Sequence, residues 1–209
     1  LAGARLLNIG TLTDTWLAAM VKAGRKASEL GRPIVLDPVG AGATRLRTDA
    51  CRRLLAETRV SVVRGNASEI LALAGADTKT KGVDATRSVT EATEAARDLA
   101  RSLGTTLAVT GRIDLVTDGE RTLLVEGGHP LMPAVTGTGC SATALVAAFH
   151  AIDPDPVLAA ATGLAFFGVA GEAAGDGAPG PGTFMIRLLD TLHTLTPDEL
   201  AARCRIREA

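Results

Sequence analysis

Pro33-Ile34-Val35-Leu36-Asp37-Pro38-Val39-Gly40-Ala41-Gly42-Ala43-Thr44 is the stretch on which the fold turns. It opens with a short uninterrupted apolar run, the pattern of a strand buried on both faces. The run stops at a carboxylate, Asp37, and gives way to a loop rich in Pro and Gly. A buried strand that ends in a polar, glycine-rich loop is the basic unit of a parallel α/β sheet, whose ligands gather beyond the carboxyl ends of the strands.

Outward from this stretch the same unit recurs. Before it, Arg5 to Ile9 reads as a strand, Thr13 as a helix N-cap, and the segment to Leu30 as a helix that Gly31 ends. After it, Thr48 is expected to cap a helix to about Thr58, and Val60 to Val63 reads as the next strand. A helix from Asn66 to Ala74, another capped by Thr90 and ending at Gly104, and a strand from Thr106 to Val109 continue the rhythm. Asp114 to Thr117 and Arg121 to Val125 then join through Asp118-Gly119, a hairpin signal that puts an antiparallel pair at one edge. From Gly139 onward the pattern is helical. Breaks fall at Asp153-Pro154 and at Gly177 to Gly182, and Thr196-Pro197-Asp198-Glu199 starts a last short helix. No internal repeat is visible, and Gly175 to Gly182 is too short to separate domains. The expected architecture is one α/β domain over residues 1–209: a mostly parallel central sheet, helices on both faces, an antiparallel hairpin at one edge.

Composition removes several function classes. The chain has 209 residues, 46% of them hydrophobic, which suits a large buried core and not disorder. Its 22 Lys+Arg stand against 23 Asp+Glu with no basic stripe, and four Phe with one Trp offer no base-stacking platform, so no nucleic-acid partner is expected. Cys51, Cys140 and Cys204 are odd in number and far apart, unlike a disulfide framework or a zinc cluster, which fits a reducing cytoplasm. No apolar run is read as reaching the roughly 18 residues that span a bilayer, so no membrane partner is expected.

The loops after the strands carry the chemistry. One offers Asp37 and a glycine pair, and another offers Arg64-Gly65-Asn66-Ala67-Ser68-Glu69. A third offers Thr110-Gly111, and the last opens a helix with Thr136-Gly137-Thr138-Gly139-Cys140-Ser141. Carboxylates, a guanidinium, hydroxyls and a glycine-rich helix start suit a phosphorylated ligand with a divalent cation. Gly137, Gly139 and Ala142 fit G-x-G-x-x-[GA], but the dinucleotide version belongs at a first βαβ unit, not after a hairpin. There is no G-x-x-x-x-G-K-[ST] pattern. Asn66 with Glu69 also reads as a capping box, and Asp37 before Pro38 as a turn former. Cys140 sits where a helix N-terminus favours a thiolate, yet His129, His150 and His193 show no spacing that would make it a hydrolase nucleophile. Cys51 and Cys204 read as packing residues.

Six segments are recognisable together: Asn8-Ile9-Gly10-Thr11-Leu12, Val35 to Gly42, Arg64 to Glu69, Lys81-Gly82-Val83-Asp84, Val109-Thr110-Gly111 with Asp114, and Val135 to Cys140. In this order, and across nearly the whole chain, they resemble the hydroxyethylthiazole kinases of the ribokinase-like superfamily. The resemblance implies ATP-dependent phosphorylation of the hydroxyl of 4-methyl-5-(2-hydroxyethyl)thiazole, a salvage step toward thiamine. It further implies Mg2+ and a homotrimer with active sites between subunits. Position by position, it implies ATP contacts at Arg64 and Thr110, with Asn66 counted beside them as a cofactor-binding residue, and a thiazole contact at Gly137. It implies a metal and phosphate region at Asp37 and Glu69, and an anion hole from Gly137 to Cys140, where Thr138, Gly139 and Cys140 form the catalytic set. Cys140 stands where most ribokinase-like enzymes place an aspartate base. Family members also carry, ahead of the strand matching Arg5 to Ile9, a segment with an Ile-Thr-Asn motif and a methionine that touches the thiazole, so an N-terminally incomplete chain is expected. Two alternatives stay open: a hydroxymethylpyrimidine-type kinase, which should carry aspartate at position 140, and a non-catalytic nucleotide-binding paralogue.

Overall fold

The alternation of apolar runs and capped helices becomes a mixed sheet in the computed structural model, which describes residues 2–74 and 89–209. Strands β1 (Arg5–Asn8), β2 (Ile34–Asp37), β3 (Val62–Asn66) and β4 (Thr106–Thr110) are parallel and lie side by side in chain order. Helices α1 (Asp14–Glu29), α2 (Arg45–Glu57), α3 (Ala67–Leu73) and α4 (Val89–Leu103) connect them. The antiparallel strands β5 (Asp114–Thr117) and β6 (Thr122–Glu126) follow, then α5 (Thr138–His150), α6 (Pro156–Gly175), α7 (Pro181–Thr194) and α8 (Pro197–Arg203).

Neighbouring residues of one strand serve opposite cores, which is why the strand sequences are continuously apolar. Ile34, Leu36, Val63, Leu107 and Val109 pack with α1 to α4. Val35, Val62 and Ala108 pack with α5, α6 and α7, around Val146, Leu164, Phe167 and Phe184. Because β1 to β4 stand in chain order, the connecting helices fill one face, and α5 returns across the other to lie on β1 and β2.

Five sequence expectations need correction. The cap of α2 is Thr44, whose Oγ1 accepts from Arg47 N at 3.3 Å. Thr48 lies one turn inside, where its hydroxyl donates to Thr44 O and accepts from Gly42 N. The third strand starts at Val62 and runs on through Asn66, since its pairing with β4 continues to Asn66 opposite Thr110, so Arg64 and Gly65 belong to the strand and not to a loop. The hairpin is not the sheet edge: β7 (Arg205–Glu208) pairs antiparallel outside β6. Finally, α6 has 20 residues and enough apolar character to cross a membrane by length and composition. It packs on β4, β5 and β6 and against α5 and α7, the position of a core helix. The cap expected at Thr90 falls one residue inside α4, and Lys81-Gly82-Val83-Asp84 lies outside the described residues.

Candidate active site

The carboxyl ends of β1 to β4 and the amino end of α5 meet in one place. Asn8, Asp37, Arg64 and Thr110 are the polar residues at or near the ends of four consecutive strands, and α5 brings Cys140 and Thr143 against them from the second face.

Asp37 is only 2% exposed. Its Oδ2 accepts from Asn8 Nδ2 and from Thr143 Oγ1, each at 2.9 Å. Burial raises its carboxyl above the usual carboxylate range; Thr143 and the Arg64 guanidinium oppose that shift, and the Glu69 carboxylate adds to it. Glu69 is held differently. Its Oε2 accepts from Asn66 N and its Oε1 from Gly40 N, each at 2.9 Å, so the capping box is real and also ties α3 to the loop after β2. Asn66 Oδ1 accepts from Glu69 N and Ser68 Oγ, which commits that oxygen to the helix start.

Arg64 crosses to β4, where Nη2 donates to Thr110 Oγ1 at 2.8 Å. Its Nε is buried with no hydrogen-bond partner among the described residues. A buried guanidinium N–H without an acceptor is costly unless something anionic arrives to take it. Asp114, at the start of β5, accepts from Gly111 N at 2.9 Å, and burial pushes its carboxyl up to about 6.

The start of α5 has a geometry that can receive an anion. Gly137 adopts φ 93°, a left-handed conformation for which glycine is suited, and the helix begins with no side-chain cap and no acidic residue in its first turn. Its first amides and the positive end of its dipole therefore remain for an external anion. Thr138 contributes backbone only, because its hydroxyl donates back to Met132 O and Val135 O. Cys140 is exposed, and its sulfur accepts from Asn8 Nδ2 at 3.3 Å. Of the other cysteines, Cys51 is buried, which pushes its thiol up to about 12, and Cys204 packs at the edge of the second core.

Every candidate residue named from the sequence lies at this end of the sheet or in the α3 cap beside it. Sequence reasoning missed Asn8 and Thr143 as site residues. The signal for Asn8 was a lone amide closing an apolar strand; Thr143, in a helix of small residues, gave none. Residues 1–198 match the model of the Hydroxyethylthiazole kinase family. A hydroxyethylthiazole kinase of Desulfotalea psychrophila is 56% identical over 208 residues, covering 100% of this chain and 76% of the relative. The solved hydroxyethylthiazole kinase of Pyrococcus horikoshii OT3 superposes with a TM-score of 0.89 at 43% identity, covering 100% of this chain and 78% of that one. A ribokinase-like superfamily protein from Enterococcus faecalis V583 shares the fold, with a TM-score of 0.62 at 14% identity over 91% of this chain and 63% of that one.

Proposed function

The chain belongs to the hydroxyethylthiazole kinase family, and from that premise we propose that it transfers the γ-phosphoryl group of ATP to the hydroxyl of 4-methyl-5-(2-hydroxyethyl)thiazole, in thiamine salvage. The observation that carries this reading is the convergence of an uncapped helix start, a partly orphaned arginine and a buried aspartate at one sheet end.

Phosphoryl transfer asks the protein mainly to position the reactants and stabilise charge. Arg64, braced by Thr110, supplies a fixed guanidinium with an unsatisfied N–H for the ATP phosphates. The amides around Gly139 and Cys140 receive the charge that grows on the transferred group. As the substrate oxygen bonds to the γ-phosphorus and the bond to the β-phosphate oxygen breaks, the thiolate form of Cys140 takes the hydroxyl proton and becomes the thiol. Gly137, exposed beside the helix start, lies against the thiazole.

No group of three or more His, Cys, Asp or Glu that could enclose a cation occurs among the described residues. Asp37 and Glu69, whose charges act on each other, instead fit the sparse coordination that Mg2+ accepts when water and phosphate oxygens complete it. These two side chains would hold the ion, which when bound offsets phosphate charge. The same reading carries a cytoplasmic homotrimer with active sites between subunits, which sedimentation would check. A coupled assay of ADP release with the thiazole alcohol tests the function. Turnover only with hydroxymethylpyrimidine, or ATP binding without turnover, would overturn it.

A further inference from the structure

We propose that Asn8 is a positioning residue of the phosphoryl-transfer site: its side-chain amide fixes the Asp37 carboxylate and the Cys140 sulfur relative to each other. The inference rests on the kinase reading and concerns a residue to which that reading assigns no role.

The orientation of the Asn8 amide follows from its neighbours. Gly10 N donates to Oδ1 at 2.8 Å, so Oδ1 is the acceptor and Nδ2 must face the site. Nδ2 has two hydrogens, and two acceptors lie within reach, Asp37 Oδ2 at 2.9 Å and Cys140 Sγ at 3.3 Å. One small planar group therefore links the ends of β1 and β2 to the first turn of α5. Thr143 adds a second tie, because its single hydroxyl proton is aimed at the same Asp37 oxygen at 2.9 Å and at most shared with Gly139 O at 3.2 Å. With both bonds placed on Oδ2, the Asp37 carboxylate cannot rotate freely, and the helix start cannot slide along the sheet without breaking contacts to both residues.

Asn8 has a plain structural duty as well, the bond from Gly10, and the two roles can be separated. Asn8→Asp would set a second carboxylate against Asp37, so the separation uses Asn8→Ala and is read by place: the loop duty is felt at residues 9–12, the tether at residues 138–143. If Asn8 only shapes its loop, exchange in Asn8→Ala should quicken at residues 9–12 and stay as in wild type at residues 138–143. The proposal expects that Asn8→Ala still melts cooperatively and binds a non-hydrolysable ATP analogue within about twofold of wild type. It also expects kcat for the thiazole alcohol to fall about tenfold or more, and amide hydrogen exchange over residues 138–143 to speed up several-fold. Exchange over residues 138–143 and kcat both unchanged in Asn8→Ala would overturn it, as would a loss confined to ATP affinity. If wild type fails to turn over the thiazole alcohol, the kinase reading falls. The exchange measurement still decides whether Asn8 tethers the helix start, since it needs no substrate.

Discussion

A Cβ built on Gly139 would lie 3.0 Å from Arg64 Nη1, so the guanidinium rests directly over the start of α5. The neighbour is the far end of a flexible side chain, so the backbone need not move to admit a methyl group. Gly139→Ala should therefore fold, and by improving helix propensity should gain up to about 1 kcal/mol of stability. The displaced guanidinium should weaken ATP by about tenfold, about 1.4 kcal/mol. Thermal melting and calorimetric titration with nucleotide should move in opposite directions; parallel movement would refute the contact.

Gly163 presents the same spacing with the opposite outcome. Its Cβ would stand 3.0 Å from Val146 Cα, within the α5–α6 contact, and backbone cannot step aside. Gly163→Ala should cost about 1 to 3 kcal/mol through forced separation of the two helices. A denaturant midpoint that does not fall would contradict the packing described.

Removing the guanidinium is a separate test. Arg64→Ala should weaken ATP binding by about 1.5 to 3 kcal/mol, the usual worth of a bond to a charged group, and Arg64→Lys should not restore it, because only the planar fork reaches Thr110 and the ligand together. Nucleotide affinity equal to wild type in either variant would rule out the assigned contact.

Cys140→Ala should lower kcat while leaving ATP affinity nearly unchanged. The anion-binding groups of α5 are backbone amides that the substitution keeps, whereas the proton acceptor is lost. Equal loss in both parameters would assign Cys140 to binding and not to chemistry.

Asp114 gives the pH dependence a sign. Burial lifts its carboxyl from 3.8 to about 6, so the folded state holds that proton more tightly than the unfolded chain does. The associated stability is fully present below about pH 3.8 and is lost as the pH rises through about 6. Asp114→Asn retains an oxygen for Gly111 N and removes the titration. Its Tm should exceed wild type at pH 7.5, and the advantage should vanish near pH 4, which melting across that range would check.

Legibility in the sequence followed burial. Strands packed on both faces announce themselves by unbroken apolar runs, and β1 to β4 were readable for that reason. Strand β7 was not, because Arg205-Ile206-Arg207-Glu208 is exposed along its whole length and is held by backbone pairing to β6. Thr44 and Thr48 are both good capping residues four positions apart, and only the turn at Gly40 to Gly42 chooses between them. The extent of α6 to Gly175 was legible from the breaks that flank it, whereas its apolar character over that length was not, because Ala and Gly read as weakly hydrophobic. In the site, glycine patterns and charged residues after strands stood out. The pairing of Asn8 with Cys140 did not, since no local pattern encodes contact between residues 132 positions apart.

That separation governs when the site can exist during synthesis. Asn8 to Cys140 spans 132 positions and Asp37 to Thr143 spans 106, so the parallel half of the sheet leaves the ribosome long before α5. An emerging chain can assemble β1 to β4 with their first-face helices, yet its Asp37 and Arg64, bonded to Asn8 and Thr110, have no helix start facing them. Competence to bind a phosphate arrives in one late step, when the helix carrying Gly139 and Cys140 docks across strands already in place.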